Sequence, residues 1–136
     1  MAFTIQHQVD LPVETLLRAK LKELTVREIP TREGGSFERL TWVFEITQQG
    51  DFFGKTVRGE TSAYFSDSEF NQPTAWAKVL LNRDLDAGQV LSEGDLIGLP
   101  CDLTVKYEED RKDKSKKWAR VEDIYPVDGL GDEPPF

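Results

Sequence analysis

The sequence predicts an all-β domain with one helix, built on five strands with the helix between the third and the fourth. Three observations carry this. Apolar residues alternate with polar ones in several separate runs, the period of a half-buried strand. Turn residues punctuate those runs at Pro30, Gly34-Gly35, Gly50-Asp51 and Gly54. A single stretch, residues 71 to 83, carries the helical period instead, with Trp76, Val79 and Leu80 at i, i+3 and i+4.

The first run, LLRAKLKELTVREI (residues 16 to 29), sets Leu17, Ala19 and Leu21 against Arg18, Lys20 and Lys22; the phase then slips and continues with Leu24 and Val26. Such a slip is what a bulged, strongly bent strand looks like. Residues 14 to 24 also admit a helix, because Leu, Ala, Lys and Glu all favour one. PTREGGSF (30 to 37) reads as a loop, with Pro30 ending the strand. ERLTWVFEIT then places Leu40, Trp42, Phe44 and Ile46 on one face, assigned to the core, and Arg39, Thr41, Val43 and Glu45 on the other. QQGDFFGK makes a hairpin into the third strand, KTVRGETSAYF, with Gly59 as an expected kink.

The helix has Pro73 in its first turn. SEGDLIG follows as a short turn, with Ser92 and Asp95 at capping-box spacing and Gly98 as its stop. CDLTVKYEE (101 to 109) and KWARVEDIYP (117 to 126) are the last two strands. This is the strand order of the OB-fold, a five-stranded Greek-key barrel whose β1–β2 and β4–β5 loops flank a binding face on strands 2 and 3. Residues 1 to 126 form the expected domain, and 127 to 136 a flexible acidic C-terminal tail.

With 136 residues, the chain suits one core rather than two. No apolar run approaches a membrane span, and MAFTIQHQVDLP lacks the features of a signal peptide, so a cytoplasmic protein with no membrane partner is expected. One cysteine and one histidine exclude an internal disulfide and a Cys/His metal cluster. Cys101 opens an alternating run with Leu103, Val105 and Tyr107, which places its thiol in the core, while His7 sits in a loose N-terminal segment. No carboxylate spacing suggests paired acid–base work, and neither GxxxxGK[ST] nor GxGxxG occurs. Catalysis, a cofactor and a metal are therefore not expected.

Charge is unevenly spread around a net −8. RKDKSKKWAR (111 to 120) holds Arg111, Lys112, Lys114, Lys116, Lys117 and Arg120 against Asp113 alone. Beyond it come only acids: Glu122, Asp123, Asp128, Asp132 and Glu133. A polyanion at contact distance meets the local field rather than the net charge. Single-strand binding needs cations for phosphates and aromatic faces for bases. The basic loop supplies the first, and Trp118, on the strand face opposite Ala119 and Val121, supplies the second unless it packs beneath its own loop's lysines. Arg39 and Arg58 share the outer face of strands 2 and 3, with Lys20 and Lys22 on the neighbouring strand. Of Phe52 and Phe53, adjacent and so pointing opposite ways, at least one is expected open to solvent, as a stacking platform or as a rim contact; Phe53 is the candidate.

The chain ends GDEPPF. A basic, aromatic-bearing domain of this strand order, followed by a short acidic tail tipped with Pro-Phe, resembles the bacterial and bacteriophage single-stranded DNA-binding proteins. The segment from DLIGLPC to KWARVEDIYP is similar to the last two strands of the small phage-encoded members. The resemblance implies a non-enzymatic, largely sequence-independent single-stranded DNA binder of replication or recombination, compatible with a homo-oligomer. It also implies that Asp132, Glu133, Pro135 and Phe136 recruit replication or recombination proteins. The acidic tail would then occupy the basic groove when no strand is bound. The alternative is an OB-fold protein-interaction or inhibitor module whose acidic surface mimics DNA.

Overall fold

The computed structural model describes residues 2, 10–109, 112 and 117–127. Five strands, β1 (Leu17–Pro30), β2 (Ser36–Ile46), β3 (Thr56–Ser62), β4 (Pro100–Glu109) and β5 (Lys117–Tyr125), form one sheet, with the helix α1 (Gln72–Leu81) between β3 and β4. The sheet closes on itself in the order β1-β2-β3-β5-β4. All neighbours run antiparallel except β3 and β5, which are parallel and meet at a single register pair, Arg58 opposite Arg120.

Ring closure depends on β1. Its first residues, Leu17 to Lys20, pair with β4, and from Ala19 onward the strand pairs with β2. One strand can edge two neighbours in this way only if it bends, and the register shift between Leu21 and Glu23 supplies the bend. The phase slip in the sequence is thus a bulge, and the helical alternative for residues 14 to 24 is overturned. Long-range pairing of Leu17, Ala19, Leu21 and Leu24, all buried, outweighs the modest helix propensity of the segment. The β1–β2 loop is shorter than the sequence suggested: Pro30 still pairs with Ser36, and only residues 31 to 35 turn. Gly34, at φ +88°, occupies the left-handed position of that turn.

The third strand stops at Ser62, three residues before the expected end, because the chain there turns to meet the helix. Asn71 caps α1 by accepting from the Thr74 N–H (3.0 Å), while its own amide donates to the Tyr64 carbonyl (2.9 Å). Asn82, at φ 56°, ends the helix in the left-handed conformation. The expected capping box is present, with the Ser92 N–H donating to Asp95 at 2.9 Å over a single 3-10 turn, Glu93–Asp95.

Trp76 projects from α1 into the ring. Its indole meets Trp42 edge-on at 5.3 Å and Phe44 at 6.0 Å between centroids. Trp42 in turn donates from Nε1 to the Thr61 hydroxyl at 2.9 Å, so the indole N–H of this buried side chain is satisfied. Gly59 is the seat of the Trp76 ring rather than a kink. A Cβ there would lie 2.7 Å from Trp76 Cη2 and 3.1 Å from Val121 Cβ. Cys101 is fully buried on β4, and burial, with Asp102 beside it, pushes its thiol from the ordinary 9.0 up to about 12. It is a core residue, as the alternation predicts.

Gly59→Ala is expected to destabilise the domain by about 1–3 kcal/mol, since the wedged indole has no free space to move into. Urea unfolding followed by circular dichroism measures this.

Candidate functional site

Pleating turns alternate residues of each strand outward, and the register aligns them in rows across β1, β2 and β3. Lys20, Glu45 and Thr56 make one row; Glu23, Val43 and Arg58 the next; then Thr25, Thr41 and Glu60; and finally Arg27, Arg39 and Ser62. β5 adds Trp118 and Arg120 beside Thr56 and Arg58, since Arg58 is opposite Arg120. Arg39 and Arg58, expected on the outer face of strands 2 and 3, thus share it with Trp118 and Arg120 of β5.

Glu60 lies at the centre of this face. Its carboxylate accepts from Arg27 Nη2 at 2.6 Å and stands 3.5 Å from Arg120 Nη1 and 3.8 Å from Arg39 Nε. Its side chain is only 15% exposed, lying beneath the guanidinium groups. Arg120 also approaches Glu108 on β4, Nε to Oε1 at 2.6 Å, a close ion pair without hydrogen-bond alignment. Arg58 is exposed and has no ion pair among the described residues. A groove of about 450 Å³ runs between Arg27, Arg58, Glu60, Trp118 and Arg120.

Trp118 is 40% exposed, with the Arg120 guanidinium 6.0 Å from its ring centroid. That separation sits at the outer limit of a cation–π contact. Ala119 and Val121, its neighbours of opposite phase, pack inward. Phe53 is 57% exposed while Phe52 packs against the core, as adjacency predicts. Phe53 lies in the β2–β3 turn rather than on the arginine face. Lys20 pairs with Glu45 at 3.7 Å, at the far end of the outer face from Arg27. Lys22 is exposed at the bulge and belongs to no row. Lys112 and Lys117 are exposed. Arg111, Lys114 and Lys116, like His7 and the terminal Asp132, Glu133, Pro135 and Phe136, lie outside the described residues.

Three residues of the face escape a reading of the sequence alone. Arg27 and Glu60 alternate in phase with residues that do not, and carrying the phase of β1 through the bulge places 23, 25 and 27 outward. Phe37 pairs with Ile29 two positions beyond the Arg27–Arg39 pair, hence on the same face, and is 46% exposed. Assigning residues 30 to 37 to a loop hides it.

A larger groove, about 730 Å³, opens elsewhere among Leu24, Val26, Leu40, Phe65, Leu91 and Leu96. No cation lines it among the described residues, and Glu93 does, so it does not suit a polyanion. Among the described residues no helix is long and apolar enough to cross a membrane. No protein-family model matches the chain, and no curated protein matches it either.

Trp118 is the expected iodide-accessible tryptophan, because Trp42 is 0% and Trp76 3% exposed. Trp118→Ala should abolish collisional quenching by iodide and shift stability by no more than about 0.5 kcal/mol, the range of ordinary surface substitutions. Stern–Volmer plots and thermal melts of both proteins check this.

Proposed function

We propose that this chain is a non-enzymatic, sequence-tolerant single-stranded DNA-binding protein with an OB-fold, in which the strand lies across the outer face of β2, β3 and β5. The observation that carries the reading is the groove in which Arg58, without an ion pair among the described residues, lies beside half-exposed Trp118. A phosphate-seeking cation and a base-stacking surface are the two components that single-strand binding requires. The ring order β1-β2-β3-β5-β4, with a helix between β3 and β4, supports the OB-fold assignment. Lys117 opens the strand that carries Trp118 and Arg120, and Arg111, Lys112, Lys114 and Lys116 precede it in the sequence.

A protein-interaction module with a DNA-like acidic surface is the second reading. The net charge of −8 favours it, together with the carboxylates of Glu60 and Glu108 among the arginines. Titrating tryptophan emission with oligo-dT separates the two. Strand binding quenches emission with strong salt dependence, and Trp118→Ala then loses about 1–3 kcal/mol of affinity. Charge reversal of Lys114 and Lys116 together lowers the salt slope by about 0.7 for each phosphate that is no longer neutralised. No change of emission or anisotropy on titration selects the interaction module.

The acidic Pro-Phe terminus is proposed to recruit replication or recombination proteins. The Phe136 ring offers apolar area, Asp132 and Glu133 suit a basic rim, and the prolines limit the entropy lost on docking. Deleting Pro135 and Phe136 should leave the melting temperature and strand affinity unchanged or the affinity slightly raised, while pull-down of such a partner is lost. A lower melting temperature would instead mark the tip as part of the packed domain.

A further inference from the structure

We infer that Glu60 is a built-in competitor for the strand's phosphates, an internal anion holding the arginines that the strand must win. The inference rests on the strand-binding reading and specifies how that site is regulated. Arg27, Arg39 and Arg120 come from three different strands and converge on one carboxylate, at 2.6, 3.8 and 3.5 Å. Three guanidiniums converging on one acidic group form an anion site, and here the protein supplies the anion itself. Guanidinium groups bind phosphate and carboxylate through the same fork of N–H donors, so the two compete directly for Arg27 and Arg120.

Position decides what the competition does. Glu60 is 15% exposed and its arginine partners are 55%, 35% and 25% exposed, so the carboxylate lies under the cations rather than in front of them. An incoming phosphate meets guanidinium groups first, already spread across the face, and then displaces them from Glu60. Arg58, which has no such partner among the described residues, is available from the outset. The carboxylate therefore lowers resting affinity and speeds release without blocking approach. A carboxylate that merely held the strands together would contribute to stability and leave the ionic character of binding alone. The salt slope distinguishes the two roles.

The experiment compares the unaltered protein, Glu60→Gln and Glu60→Asp in oligo-dT titrations at several salt concentrations, with thermal melts alongside. Glu60→Gln keeps the side-chain shape and removes the charge; it should bind roughly fivefold tighter at low salt, the order of one surface ion pair released. Its salt slope should steepen by about 0.7 for each additional phosphate neutralised. Its melting temperature should fall, because three arginines then repel one another, and should recover on adding inorganic pyrophosphate. Glu60→Asp retains the charge but withdraws it by one methylene, and should shift affinity less, in the same direction; it carries the test if Glu60→Gln does not fold. Unaltered protein that binds oligo-dT, with folded variants that bind no tighter at an unchanged slope, would overturn this role for Glu60 while leaving the strand-binding reading in place. Failure of all three proteins to bind oligo-dT would overturn the strand-binding reading itself.

Discussion

The seating of Trp76 on Gly59 holds together the weakest seam of the ring, and the outer face depends on it. β3 and β5 meet at one register pair, so backbone hydrogen bonding across that seam is slight. The ring is closed there chiefly by side chains. From beneath, the indole of Trp76 packs at the position where Gly59 lacks a Cβ and Val121 reaches across from β5. From above, Glu60 and Arg120 pair across the same seam. Because strand residues alternate, pointing Gly59 inward turns Arg58 and Glu60 outward. One glycine thus positions both the helix that plugs the ring and the charged groups that define the outer face.

That face is not a bare basic surface. Its arginines are interleaved with carboxylates, which is how a chain of net charge −8 can present guanidinium groups in an ordered array. Glu60, only 15% exposed, lies under its three arginines, so its ion pairs are screened less than pairs fully in solvent. Their consequence is geometric: Arg27, Arg39 and Arg120 are held spread over the strands, and Arg58 stands beside Trp118 with no ion-pair partner among the described residues. On the proposed strand-binding reading, such an arrangement would give sequence-tolerant, salt-sensitive binding, through charge and flat aromatic surface rather than base edges.

Much of this is legible in the sequence because alternation is a direct imprint of the pleat. Leu40, Trp42, Phe44 and Ile46 are readable as core, and Arg39, Arg58, Trp118 and Arg120 as outward, from period alone. The bulge in β1 is visible as a phase slip, but its consequence is not: which residues beyond it face outward depends on where the extra residue sits, and so alternation groups Lys22 with a face to which Arg27 belongs. Gly59 shows the same limit. Trp76 leaves no room for a larger residue there, and tertiary packing brings it from a distant helix, so no local pattern reports the constraint. Glu60 is easily overlooked because a lone acid on a strand looks like a solvated charge until the three arginines around it are seen in space.

Amide and tryptophan side-chain NMR of the full chain titrated with oligo-dT tests the central claim most directly. Binding across the outer face predicts shifts concentrated at Thr41, Val43, Arg58, Glu60, Arg120 and the Trp118 indole N–H, with the α1 amides and the Trp42 and Trp76 indoles unmoved. Shifts centred instead on Leu24, Phe65, Leu91 and Leu96, or none at all, would contradict it.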